Sequence, residues 1–213
     1  QNQAGTYLPE AVYIECMTSP KRMVNDAELV TRARRADEAA WETLTRAYAE
    51  AAFRLAYLIL GDPDDADDVA QEAFIRAYRG LNRFDLARPF RPWLLSIVAN
   101  LARNRRRAAG RYLAALQRAA RADPEAHVGA PADSAAAEAR EVWQAVKRLG
   151  RADSEIIYLR YFLDMSEADT AQSLGVAPGT VKSRTHRALE RLRGVVAKDF
   201  PALRESWGRG TSP

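Results

Sequence analysis

Four cations, Lys182, Arg184, Arg187 and Arg191, recur along a stretch whose apolar residues Val181, Ala188 and Leu192 are spaced by seven and four. On a helix that spacing gathers the apolar residues on one side and leaves the cations largely off it. Long arginine side chains reach both phosphates and guanine edges, so this is the form of a recognition helix entering a DNA groove. Upstream, Gly175 follows Leu174 where a short helix must stop, and Pro178-Gly179-Thr180 opens the second helix at an angle. The run from Asp164 to Arg193 therefore reads as a helix-turn-helix. The alternative is a solvated basic face on an ordinary core helix.

Charge elsewhere is segregated. Between Gly61 and Ile75 there are six acidic residues and no base, whereas Leu86 to Ala122 carries nine arginines and no acid. Two such neighbouring segments suit two different partner surfaces. The net charge of +4 over 213 residues is moderate by comparison. A single cysteine, Cys16, excludes an intramolecular disulfide and fits a reducing compartment. The longest apolar candidate, Ala51 to Leu60, is interrupted by Arg54 and falls short of a membrane span, and no basic-then-apolar signal opens the chain. These features indicate a cytoplasmic protein without membrane insertion.

The elements that carry these residues read as helices almost throughout. Leu29, Trp41, Leu44, Tyr48, Leu55, Leu58 and Ile59 recur mostly at three and four, with a break near Ala36-Asp37 and a stop at Gly61. Asp62-Pro63 supplies an N-cap oxygen and a first-turn proline for a helix that buries Val69, Ala73, Phe74, Ala77 and Tyr78 and stops at Gly80. After a loop from Asn82 to Arg91, Pro92 restarts a helix with Leu94, Ile97, Val98 and Leu101 inside and Arg103, Arg105, Arg106 and Arg107 at its end. Composition shifts near Gly110 and Ser134, and the Ala, Pro, Gly and Asp-rich segment between cannot close a core. A second helical set follows, from Val142, Trp143, Val146 and Leu149 to Phe162. The expected fold is all-α, with two small helical domains at 25–110 and 135–200 joined by a flexible linker at 111–134. Residues 1–24 read as a disordered arm and 201–213 as a frayed tail. With Gln1 first and Met17 and Met23 just ahead of the periodic helices, residues 1–16 are expected to be a tag or an overextended reading frame. A peptide from that stretch in natively expressed protein would sink this reading.

Three segments, in this order and separation, carry a resemblance. DPDDADDVAQEAFIRAYRGLNRFD at Asp62–Asp85, FRPWLLSIVANLARNRRR at Phe90–Arg107 and SLGVAPGTVKSRTHRALERLR at Ser173–Arg193 resemble bacterial RNA polymerase sigma factors of the extracytoplasmic-function (ECF) type, which carry sigma regions 2 and 4 only. The likeness runs from about Asn25 to Ala197. It implies an initiation subunit that directs core RNA polymerase, through its beta-prime and beta subunits, to promoter DNA and promotes opening in a stress response. It also implies an anti-sigma partner. Asp65, Asp68, Gln71, Glu72 and Arg76 would then dock on the beta-prime coiled coil, and a row of carboxylates does suit a basic partner rather than DNA phosphate. Phe84, Arg88, Phe90, Arg91 and Asn100 would capture a base of the minus 10 element. Arg103, Asn104, Arg106 and Arg107 would track phosphate. Trp93 fits a core position and a stacking platform equally. Thr180, Lys182, Ser183, Arg184, Arg187 and Arg191 would hold the minus 35 element. Asp123, Glu125 and Asp133 of the linker would mimic nucleic-acid charge, and His186 and His127 have no assigned role. Thr170 and Thr185 depart from the family pattern, standing where larger aliphatic residues are usual.

Other classes have less support in the residues. DPDDADD lacks the glycine turn and distal glutamate of a calcium loop, so no metal site is expected. No nucleophile with base and orienter, no phosphate-binding glycine loop and no ligand cluster points to an enzyme, a cofactor or a small-molecule substrate. A free-standing helix-turn-helix repressor or activator is the main rival. It would need a dimer seam and paired half-sites, and no clear seam is present.

Overall fold

The computed structural model describes residues 25–119 and 134–203, and every element among them is helical. The expectations for residues 1–24, for the centre of the linker with Asp123, Glu125, His127 and Asp133, and for the tail beyond Leu203 lie outside the described residues. In chain order the helices are α1 (Asp26–Ala33), α2 (Glu38–Leu60), α3 (Pro63–Gly80), α4 (Phe90–Ala119), α5 (Ser134–Lys147), α6 (Arg151–Ile157), α7 (Glu167–Leu174) and α8 (Pro178–Asp199). A 3-10 turn at Leu81–Arg83 follows α3, and a widened π turn at Tyr158–Phe162 follows α6.

The helix boundaries follow local chemistry. Asp37 starts α2 by accepting from the Ala40 N–H at 3.1 Å, and Asp62 starts α3 by accepting from the Asp65 N–H at 2.9 Å. Gly61 ends α2 in the left-handed region at φ 81°, which a glycine adopts without a Cβ clash. The break between α1 and α2 falls at Ala36, whose φ of 62° is costly for an alanine. Ser166 caps α7 through the Asp169 N–H at 3.0 Å, and Gly175 closes it at φ 66°. Helix α4 begins two residues before the expected proline and runs through Gly110 to Ala119. One interior glycine costs about 1 kcal/mol, too little to end a long helix.

The chain forms two compact units. Among the described residues, the larger spans 25–119 and 158–182. Its core is built where α2, α3 and α4 meet: Leu44, Leu55 and Ile59 face Val69, Ala73 and Phe74, with Phe90, Leu94, Leu95 and Val98 closing the third side. Alanines 52, 56, 66, 70, 73, 77, 99 and 102 are also buried, and their small side chains let the helix axes approach. Helix α7 lies against α4, where the buried Ser173 hydroxyl donates to the Pro92 carbonyl at 2.9 Å. Arg34 at the end of α1 donates from Nε to the Leu81 carbonyl at 2.9 Å and from Nη2 to the Phe84 carbonyl. Those two bonds fix the entry of the loop ahead of α4.

Two polar groups in this unit, one half-buried and one buried, give testable consequences. The Asp26 carboxylate accepts from the Tyr48 hydroxyl at 2.8 Å and from the backbone N–H of Phe90, tying α1 and α2 to the start of α4. Burial nevertheless outweighs these bonds and holds the Asp26 pKa above its ordinary value. The folded state therefore binds this proton more tightly than the unfolded state. The stabilisation from protonation is complete below the unfolded pKa and is lost as pH rises through the raised folded one. Asp26→Asn keeps the acceptor oxygen and removes the charge. Its melting temperature should rise relative to the parent as pH increases above the ordinary carboxylate range of about 4, as read by circular dichroism. Thr170 is fully buried and its hydroxyl finds no partner among the described residues. Thr170→Val keeps the shape and removes the unmet group, so it should stabilise by about 1 kcal/mol in urea unfolding.

Among the described residues, the smaller unit comprises 134–157 and 183–203. Ala145, Val146, Leu149, Ile156 and Ile157 form its core with Ala188, Leu192, Val196, Phe200 and Leu203. Asp153, buried at the start of α6, pairs with Arg191. Arg148 pairs with Asp199 and lies 4.9 Å from the centre of the Phe200 ring.

Candidate nucleic-acid interface

The basic face of α8 starts at a turn whose geometry the sequence dictates. Gly175 turns the chain out of α7, the Val176 N–H returns to the Ala171 carbonyl at 3.0 Å, and Pro178 then begins α8 with its ring in place of an unneeded N–H. Val181, Ala188 and Leu192 are buried, as their spacing predicts. Lys182, Ser183 and Arg187 are exposed, while Thr180 and Arg184 are half-buried. Arg187 donates from Nε to the Ser183 carbonyl at 3.2 Å, one turn back, leaving its remaining N–H groups for an outside acceptor. Arg191 stands apart from this set, because its ion pair with Asp153 ties it to α6. His186 is exposed beside Glu190, with Nε2 at 3.3 Å from Oε1.

The loop before α4 and the helix itself sort the other candidate DNA residues into two groups. Phe84 and Phe90 are 6% and 0% exposed and lie in the core with rings edge-to-face at 5.8 Å. Trp93 is half-buried over both, 4.6 Å from Phe84 and 5.6 Å from Phe90. Gly80 leaves room for it, since a Cβ there would meet Trp93 Cζ2 at 3.3 Å. This cluster shapes the loop from beneath. Above it, Arg88 is exposed and 3.7 Å from Asp85, and Leu86 is also exposed. Arg91 is half-buried and donates to the Leu163 carbonyl at 2.7 Å, and burial lowers its pKa. Along α4, Asn100 accepts from Arg103 Nη1 at 2.9 Å, Arg106 donates to the Ile59 carbonyl at 3.1 Å, and Asn104 and Arg107 are exposed. The surface-facing members are thus Arg88, Asn100, Asn104 and Arg107.

The acidic candidates share the outer side of α3. Asp68, Gln71 and Arg76 are exposed, and Asp65 and Glu72 partly so. Arg76 donates to Glu72 at 2.7 Å and Gln71 to Asp67 at 2.7 Å, each one turn apart. Two residues of this surface were not legible as such. Ile75 and Tyr78 are each 46% exposed on the same helix, although periodicity placed Tyr78 in the core. Its ring does touch Trp41 at 5.1 Å, so the apolar stripe was right about contact and wrong about cover. Arg105 is the third addition. It reaches from α4 to Asp65 at 2.6 Å and Asp68 at 2.9 Å. Burial opposes its charge, but the two carboxylates prevail and raise its pKa. No group of ligating residues among those described forms a metal site. No described helix is long and apolar enough to cross a membrane.

Comparison with known proteins matches two parts of the chain to family models. Residues 44–112 match the family model for Sigma-70 region 2, and residues 139–192 that for Sigma-70 region 4. The chain is 30% identical over 174 residues to the ECF RNA polymerase sigma factor SigW of Bacillus subtilis, covering 77% of this chain and 92% of the relative. It is 36% identical over 169 residues to the ECF RNA polymerase sigma factor SigM of Mycobacterium tuberculosis, covering 79% and 83%. Among solved structures, CnrH in complex with the cytosolic domain of CnrY is similar at a TM-score of 0.63 and 25% identity, over 83% of this chain and 99% of that one. The sigma factor RpoE of Bartonella quintana, in complex with the anti-sigma factor NepR, is similar at a TM-score of 0.61 and 25% identity, over 74% and 97%.

Proposed function

The chain belongs to the ECF family of RNA polymerase sigma factors and is a promoter-specific transcription initiation factor, and from that premise we propose how its surfaces divide the work. Residues 25–110 act as region 2 and residues 135–200 as region 4, with the segment 111–134 spanning between them. The outer side of α3, through Asp65, Asp68, Gln71, Glu72 and Arg76, docks on a basic surface of the core polymerase beta-prime subunit, and the beta subunit receives the remainder. The loop ahead of α4, seated on Phe84, Phe90 and Trp93, meets the minus 10 element. There Arg88, Arg91 and Asn100 face the displaced base, and Arg103, Asn104, Arg106 and Arg107 lie along phosphate. Thr180, Lys182, Ser183, Arg184, Arg187 and Arg191 serve the minus 35 element.

Separation of charge is the observation that supports this reading most. A row of exposed or half-buried carboxylates, Asp64, Asp65, Asp67, Asp68 and Glu72, lies along α3, while Arg83 and Arg88 outnumber Asp85 in the loop ahead of α4 and Lys182, Arg184 and Arg187 gather on the first turns of α8. A DNA surface with carboxylates in it would repel phosphate, so the acidic helix serves a protein partner. The subunit performs no bond-making chemistry of its own; binding energy traps unpaired bases, and nucleotide addition remains the polymerase's reaction. It works in the cytoplasm with the chromosome and is held in check by an anti-sigma factor, as CnrH and RpoE are found in complexes with CnrY and NepR.

The test is run-off transcription by purified core polymerase on a pool of promoter fragments. Discrete transcripts are expected only when the protein is added. Absence of any added transcript, with specific DNA binding by the protein alone, would contradict the proposal.

A further inference from the structure

Arg105 joins two surfaces that the proposed function keeps apart. It belongs to the basic turn Arg103 to Arg107 of α4, yet its guanidinium is held by Asp65 and Asp68 of α3, at 2.6 and 2.9 Å. Both carboxylates belong to the proposed polymerase surface. All three side chains are partly open to solvent, at 41%, 38% and 62% of their full exposure. Ion pairs this open are worth little and exchange readily, so a better cation removes the carboxylates at small cost. A guanidinium that loses them stays charged and seeks another anion.

Resting on the sigma reading above, we propose that Arg105 couples polymerase docking to DNA binding: a cationic polymerase side chain displaces it from Asp65 and Asp68, and it turns to a promoter phosphate. In the free subunit Arg105 competes with polymerase for the two carboxylates. In the initiation complex it adds a phosphate contact to the turn that already carries Arg107. Linkage makes the effect reciprocal, so a phosphate that draws Arg105 away exposes the carboxylates to polymerase.

The test uses the full chain carrying Arg105→Ala, with Arg111→Ala as a control for loss of the same charge. Arg111 is exposed farther along α4 and lies outside the surfaces assigned above. Fluorescence anisotropy would measure core polymerase affinity without DNA, and filter binding would measure promoter affinity of the assembled holoenzyme across a salt series. Arg105→Ala should bind core about two- to fivefold more tightly than the parent. Its holoenzyme should bind promoter DNA more weakly, with a salt slope smaller by about one counterion. Arg111→Ala should leave core affinity unchanged. Equal core affinities for the two variants, or a joint loss of both affinities with a lowered melting temperature for Arg105→Ala, would make Arg105 a structural brace and overturn the coupling. Failure of the parent chain itself to bind core would overturn the sigma reading along with it.

Discussion

Reversing two charges on α3, Asp68→Arg with Glu72→Arg, should reduce affinity for core RNA polymerase by on the order of 100-fold or more while the helical fold survives. The reason lies in how little these side chains do for the fold. Asp68 is exposed and Glu72 half so, and their partners are the partly exposed Arg105 and Arg76. Losing such pairs costs well under about 1 kcal/mol each. Against a basic partner the same two changes convert attraction into repulsion, and each desolvated charge pair at an interface is worth about 2–5 kcal/mol when broken. Surface plasmon resonance with immobilised core would read the loss, and circular dichroism would read the retained fold. Promoter affinity of the holoenzyme, measured with core polymerase in saturating excess, should not fall, because neither residue lies on α8. A loss of core binding matched by a collapse of helicity would instead make these residues structural.

The complementary change is Arg184→Ala with Arg187→Ala on α8. Promoter affinity of the holoenzyme should fall by roughly 30- to 1,000-fold, since each good arginine contact to a base edge or phosphate is worth about 1–3 kcal/mol. Core affinity should remain within about twofold, because neither residue belongs to the α3 surface and exposed charges are screened by salt. Arg187 is exposed and Arg184 half-buried, and neither takes part in the buried stripe of Val181, Ala188 and Leu192. Arg191→Ala is expected to behave differently. It leaves Asp153 buried without its cation, so melting temperature should drop along with DNA binding. If all three alanine changes lowered stability equally, the basic face of α8 would be a scaffold rather than a DNA surface.

Where the fold is governed by local chemistry, the sequence was sufficient to read it. Asp62-Pro63 and Gly61 set the α2–α3 corner, and Gly175 with Pro178 sets the turn before α8, because caps, prolines and positive φ are properties of single residues. The buried side of α4 was legible in part for the same reason: of the expected Leu94, Ile97, Val98 and Leu101, Leu94 and Val98 are fully buried while Ile97 and Leu101 are half-buried at its edge. What escaped depends on residues far away in the chain. Periodicity shows that Tyr78 shares a side with Phe74, but only the packing of Trp41 shows that the ring is half covered. Arg105 reads as one cation of a basic run, and nothing near it in sequence announces Asp65 and Asp68, some forty residues earlier.

Aromatic residues of the loop ahead of α4 raise the same difficulty in sharper form. Phe84 and Phe90 occur beside Arg83, Arg88 and Arg91, which is the composition of a single-strand binding surface. Their burial comes from Gly80, whose missing side chain admits Trp93, and from Arg34, whose two bonds to Leu81 and Phe84 draw the loop inward. Composition singled out the segment, and tertiary contacts decided which of its atoms face outward. Asn100 and Arg107 are exposed on the helix, where local periodicity alone leaves them off the buried side.

Permanganate footprinting of a promoter pool, with the protein alone, core polymerase alone and both together, separates an initiation subunit from a free-standing regulator. Reactive, unpaired thymines around the minus 10 element are expected only when both proteins are present. Thymines that stay unreactive with both, alongside a specific footprint from the protein alone that polymerase does not change, would contradict the initiation role.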